Sequence, residues 1–207
     1  MLPAPLPGGT GRAGSIWPHL AQAMRDSAQA MELEFAIIAV DGSRVIDWNS
    51  SGTPFATYLS KRLQALQTAP WQPDMVLWQQ GEADARDGMS RDDYVQHFEG
   101  LRAKLRAQGI DAPILLANSS YCRNVDGTQI RAAIETLKAR HSDLMAGADT
   151  DTLQGPSRDG PCHLSHSGLV QAAGLWAVAI RQALRGTTPR SPDTATVQMP
   201  NLAASAP

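Results

Sequence analysis

The chain has 207 residues, a formal net charge of −2, 43% hydrophobic and 18% charged residues. That is enough for one domain with a sizeable core, and the balance excludes wholesale disorder. A pI near 6.2 supplies no basic field, so nucleic acid is not expected as a partner. Two cysteines, Cys122 and Cys162, exclude a disulfide scaffold and a four-cysteine zinc site. No apolar stretch reaches bilayer-spanning length, so a membrane is not expected either.

In chain order, residues 1–14 come first. They carry Pro3, Pro5 and Pro7 with several glycines where a secretion signal would carry an apolar run, so they read as an irregular segment and not a signal peptide. This leaves the compartment open. The domain is expected over residues 15–185. Phe35-Ala36-Ile37-Ile38-Ala39-Val40 is a continuous apolar run closed by Asp41-Gly42. Met75-Val76-Leu77-Trp78 and Ile114-Leu115-Leu116-Ala117 are two more, with a weaker fourth near residues 143–148. Runs of this length suit parallel strands covered on both faces.

Between the runs the apolar spacing turns helical: Phe55, Leu59, Leu63 and Leu66; Tyr94, Phe98, Leu101 and Leu105, with Ser90 and Asp93 as the start signal; Ile130, Ile134 and Leu137; and residues 169–184. Strand–helix alternation predicts a parallel α/β sheet with right-handed crossovers and its chemistry at the carboxyl edge. The remainder, 186–207, is rich in Thr, Pro, Ala and Ser without apolar period, and reads as a disordered tail.

Three expected edge turns carry polar side chains: Asp41-Gly42-Ser43, Gln79-Gln80-Gly81-Glu82 and Asn118-Ser119-Ser120. Gly81 permits a tight turn with close backbone approach, and the Gln80 amide is a donor suited to a developing oxyanion. In Asp159-Gly160-Pro161-Cys162-His163, a histidine after a turn is a candidate general base that a carboxylate would orient. The competing readings are a surface turn and a capping loop. Adjacent side chains rarely aim at one another, which counts against Cys162 as a nucleophile for His163. Cys122 and Cys162 are read either as two free thiols or as a disulfide. His19, His97 and His141 fall in helical segments, and His166 is a rival to His163. Asp149 and Asp151 are read as solvated acids or a cation site. Trp17, Trp48 and Trp78 are either pocket walls or core.

Together, Gly14-Ser15-Ile16-Trp17-Pro18, Asp41-Gly42-Ser43 through Asp47-Trp48, Trp78-Gln79-Gln80-Gly81-Glu82-Ala83-Asp84, and Cys162-His163-Leu164-Ser165 with Gly168 resemble, in order, the sialate O-acetylesterase-like branch of the SGNH hydrolases. The resemblance implies a three-layer α/β/α flavodoxin-like fold and removal of acyl groups, typically acetyl, from sugar hydroxyls. It implies a serine nucleophile and neither metal nor organic cofactor; the partner is a small acetylated carbohydrate or other acyl ester. It implies His163 as the catalytic histidine, Asp159 or Glu82 as its orienting acid, and Gly42 and Gln80 as oxyanion donors, with Ser43 and Trp17 in the matching substrate-side segments. Two departures are visible. The family's acid lies three residues before its histidine, and Asp159 lies four before.

The second departure concerns the nucleophile. The family carries it in a Gly-Gln-Ser-Asn-like segment after its first strand, ahead of the part matched here. Gly88-Met89-Ser90 and Gly155-Pro156-Ser157 are the Gly-x-Ser triplets of this chain, and Ser90 is better explained as a helix cap. The expectation is an N-terminally shortened copy whose sheet lacks the family's first, central strand and whose serine is missing; a non-catalytic carbohydrate-binding remnant is the alternative. Without that strand, either residues 35–40 pair directly with residues 75–78 or backbone groups go unpaired.

Overall fold

The computed structural model describes residues 14–25 and 33–187. The irregular segment expected at 1–14 and the tail expected at 186–207 thus lie outside the described residues, except for Gly14, Gly186 and Thr187. Strands β1 (Val76–Trp78), β2 (Ile114–Asn118) and β3 (Leu144–Asp149) form a parallel sheet in the order β1-β2-β3. All three were legible as apolar runs. Their side chains alternate between two cores, as strands covered on both faces must. Val76, Trp78, Ile114 and Leu116 point into one core; Met75, Leu77, Leu115 and Ala117 point into the other. Gly147 lets β3 lie close to β2, since a Cβ there would sit 2.6 Å from the Leu116 carbonyl carbon.

The first core is covered by α2 (Val45–Asn49), α3 (Pro54–Gln67), α5 (Arg91–Ala107) and α6 (Thr128–Arg140), and the second by α1 (Ile16–Arg25) and α7 (His166–Thr187). The short α4 (Glu82–Arg86) follows β1 directly. The result is the expected three-layer α/β/α arrangement. Helix starts follow their signals: Thr53 accepts from the Ala56 N–H at 3.1 Å with Pro54 at the first position, and Ser90 accepts from the Asp93 N–H at 3.2 Å. Asp92 and Asp93 open α5 while Lys104 and Arg106 close it, matching the helix dipole. Helix α7 reaches Thr187, two residues into the segment assigned to the tail.

One expected strand is corrected. Residues 35–40 join no ladder among the described residues. They keep the side-chain alternation of a strand: Leu33 and Phe35 pack into the α1/α7 core, Ile38 and Val40 into the other. What they lack, among the described residues, is a ladder neighbour. A slot of about 870 Å³ separates them from β1, lined by both segments and by Trp17, Leu20, Leu101 and Ile180. Val76 donates its N–H to the Pro113 carbonyl, just before β2, so alternation turns the Leu77 N–H and C=O to the slot side. All three β1 residues are accordingly only half-buried. Among the described residues, residues 35–40 do not pair directly with β1.

A two-residue antiparallel hairpin that the apolar pattern did not reveal, β4 (Arg158–Asp159) and β5 (His163–Leu164), lies just before α7.

Candidate active site

The turns after β1 and β2, the residues 41–44 turn and the β4–β5 hairpin together form the carboxyl edge of the sheet. The first of these is held by a buried strut. Asp84 is fully buried and accepts from the Val45 N–H at 3.1 and 3.3 Å as well as from the Gln80 amide. Gln80 also donates to the Ser43 carbonyl at 3.0 Å, and its carbonyl accepts from the Tyr94 hydroxyl at 3.3 Å. Burial raises the Asp84 carboxyl above the usual carboxylate range, partly offset by these donors; it also pushes the Tyr94 phenol up. Gly81, at φ +150°, makes the turn possible: a Cβ there would stand 2.8 Å from the Ser119 carbonyl.

This geometry changes the part expected of Gln80. Both hydrogens of its amide go to protein oxygens, so it braces the 42–43 turn against α4 and offers no free donor. Ser43 is likewise committed: its hydroxyl donates to the Val40 carbonyl at 2.9 Å and accepts from Trp48 Nε1 at 3.0 Å. Gly42, at φ +67°, is exposed, and its N–H has no hydrogen-bond partner among the described residues. Asp84, given no role in the sequence reading, is the residue that ties the turn together; its Gln80 partner four residues earlier was the signal available.

Asp159 and His163 are Cα partners in the hairpin ladder, which puts their side chains on one face within reach of each other. The four-residue spacing is absorbed by the turn, where Gly160 adopts φ +68°. Both side chains are exposed. The hairpin is fastened to the loops after β2 and β3 in three ways. Cys122 and Cys162 form a disulfide, which settles the alternative of free thiols. Arg123 N–H donates to the Pro161 carbonyl at 3.0 Å. Arg158 donates to the carbonyls of Leu153, Cys162 and Thr150 at 2.6–2.7 Å, with its guanidinium 5.1 Å from the Tyr121 ring centre.

Glu82 accepts from the Ser119 hydroxyl at 2.7 Å. Burial raises its carboxyl, while the Arg158 guanidinium pulls it back. It thus joins the β1 and β2 turns and faces the hairpin's Arg158; no hydrogen bond links it to an imidazole. Asp151 receives the N–H groups of Ser120 and Tyr121 at 2.7 and 2.8 Å, and Arg131 ion-pairs with both Asp149 and Asp151 at 3.0 Å. Those acids are therefore fold-holding groups. Among the described residues, no group of three or more His, Cys, Asp or Glu is placed to hold a metal ion.

His166 lies 5.4 Å from His19, edge to face, on the α1/α7 side. Trp48 and Trp78 meet edge to face in the core, Trp48 also against Phe55 and Trp78 against Phe98. Trp17 packs against Phe35, 5.3 Å between ring centres, on the wall of the slot. Ser43, Gln79 and Gln80 line the slot as well, so its upper end opens onto this edge. The serine hydroxyls nearby are all spent on structural partners: Ser119 on Glu82, Ser120 on Asp151, Ser157 on Gln171, Ser165 on Pro156. Among the described residues, none bonds an imidazole.

Comparison with known proteins identifies a family and a fold. The model of the family described as carbohydrate esterase, sialic acid-specific acetylesterase, matches residues 15–182. No curated protein sequence matches the chain. Three solved structures share the fold. A protein of Arabidopsis thaliana has a TM-score of 0.65 at 21% identity, over 79% of this chain and 66% of its own length, so the chain spans slightly less than two thirds of it. A carbohydrate esterase family 3 protein from Talaromyces cellulolyticus has a TM-score of 0.57 at 15% identity, over 84% of this chain and 90% of that one. An acetyl esterase mutant with acetate ion gives 0.57 at 14% identity, with the same coverage.

Proposed function

Because the chain belongs to the carbohydrate esterase, sialic acid-specific acetylesterase family, we infer that its carboxyl edge hydrolyses acetyl esters of carbohydrates. The observation that carries this reading is the Asp159–His163 pair, side by side on a hairpin fastened by Cys122–Cys162 to the same edge that presents the Gly42 N–H. In the proposed chemistry, His163 takes the proton of a hydroxyl nucleophile as that oxygen attacks the acyl carbon. Asp159 orients the imidazole and stabilises its charged form. The Gly42 N–H receives the tetrahedral oxyanion, in a turn held by Gln80 and Asp84. Collapse expels the sugar oxygen, which regains the proton from His163. Water then releases acetate by the same route.

The serine inventory favours one other reading: a domain that binds acetylated sugar without turnover. The two are separated by measuring acetate release from an aryl acetate and from acetylated sugars. Release that falls at least about 100-fold in His163→Ala, the range expected for a lost general base, supports the esterase. Sugar binding without release by a folded sample refutes it.

A further inference from the structure

Gln80 spends both of its amide hydrogens; Gln79, beside it, spends neither among the described residues. Gln79 directly follows β1 and is exposed at the carboxyl edge. Its side-chain oxygen accepts from Trp176 Nε1 at 2.8 Å. An indole N–H only donates, so the Gln79 oxygen faces the indole and the amide nitrogen faces away from it. That nitrogen has no hydrogen-bond partner among the described residues.

The orientation comes from the fold. Side chains alternate along an extended segment. Trp78 and Gln80 therefore lie on the side of the first core, where Gln80 meets Tyr94, and Leu77 and Gln79 on the side of the second. Trp176, 1% exposed in that second core, projects from the middle of α7. Helix side chains lean toward the N-terminus, which in α7 is the end joined to the His163 hairpin. A buried, immobile donor thus grips Gln79 by its oxygen and leaves the two amide hydrogens at the exposed edge.

We propose that Gln79 donates a side-chain N–H to the acyl oxygen of the substrate, beside the Gly42 N–H, and so takes the part that Gln80 is not free to play. This assignment rests on the reading of the edge as an ester site. The Gln80 bond to the Ser43 carbonyl, 3.0 Å long, brings the two donors together, since Gly42 and Gln79 are each one residue from it. Ser43 and Gln79 also line the same end of the slot. A donor fixed in advance pays no reorganisation as the carbonyl oxygen becomes an oxyanion. Trp176, which touches no substrate, supplies that fixation and is a positioning residue.

The test compares the full chain with Gln79→Glu and Gln79→Met. Both variants lack the donor hydrogens; the first keeps an acceptor for Trp176, and the second adds no charge. Acetate ion is titrated while side-chain amides are followed by nitrogen–proton NMR, and kcat and KM are measured on an aryl acetate. In the parent, the Gln79 amide signals should move with acetate. Both variants should bind acetate about 10-fold more weakly, as for a lost hydrogen bond to a charged group. Both should lose about 100-fold in kcat with little change in KM, as for a lost oxyanion donor. A loss in Gln79→Met alone means that the residue only supports Trp176, and a loss in Gln79→Glu alone reports its charge; either overturns the proposal. So does a Gln79 amide that acetate does not move. If the parent releases no acetate, the esterase reading falls, and the titration still decides Gln79.

Discussion

Replacing Asp84 tests whether the first edge turn hangs on one buried carboxylate. In Asp84→Ala, the Val45 N–H and one hydrogen of the Gln80 amide lose their acceptor in a place without solvent. Each orphaned donor costs about 1–3 kcal/mol, or roughly 2–6 together. Relief from burying a disfavoured charge returns part of this, so a net loss of about 3 kcal/mol is expected, against a total of about 5–15 for a domain. Asp84→Asn keeps one acceptor oxygen for Val45 and should cost about 1 kcal/mol.

The pH dependence has a definite sign. The folded carboxyl is raised above its ordinary value of 3.8, so its contribution is fully present below that value and is lost as pH rises through the folded value. Asp84→Asn should therefore gain on the parent between pH 3 and pH 7. Urea unfolding at both pH values, with Gln80→Ala and the double variant closing the cycle, measures all of this. An Asp84→Ala loss under about 1 kcal/mol, or additive effects in the cycle, would refute the strut.

Asp143, paired with Arg102 at 2.8 Å and with Arg106, is lowered to about 2. Its stabilisation is present above 3.8 and lost as pH falls through about 2, so Asp143→Asn should cost about 2 kcal/mol at pH 7 and little at pH 2, by urea titration. Gly81→Ala should lose about 3 kcal/mol, from positive φ and the approach to Ser119, read as a fall in thermal midpoint. Removing the disulfide with Cys122→Ser and Cys162→Ser should cost about 4 kcal/mol on the chain-entropy account of its 40-residue separation. A loss below about 1 kcal/mol would show that Arg158 and the Arg123–Pro161 hydrogen bond hold the hairpin without the disulfide.

The strands at 76–78, 114–118 and 144–149 were legible because apolar runs buried on both faces admit few other readings. The run at 35–40 carried the same signal but forms no ladder among the described residues, since a ladder needs a neighbour and no local pattern reports on one. The hairpin was hidden for the opposite reason: four ladder residues in a polar loop leave no periodicity. Family order pointed to Gly42, Gln80, Asp159 and His163 as candidates. It did not distinguish an amide with a free hydrogen from one whose hydrogens are spent, and so did not foresee the bracing role of Gln80. Asp84 escaped notice because burial of an acid depends on Val45, 39 residues away.

The bond between Cys122 and Cys162 also sets how far the chain can unravel from its carboxyl end. Helix α7 begins only four residues after Cys162, and its departure from the sheet would otherwise peel the hairpin away with it. The crosslink places a stop there. Loosening of the last helix should end at the hairpin's anchor, leaving His163 attached to the loop after β2, so that the two regions open in separate steps.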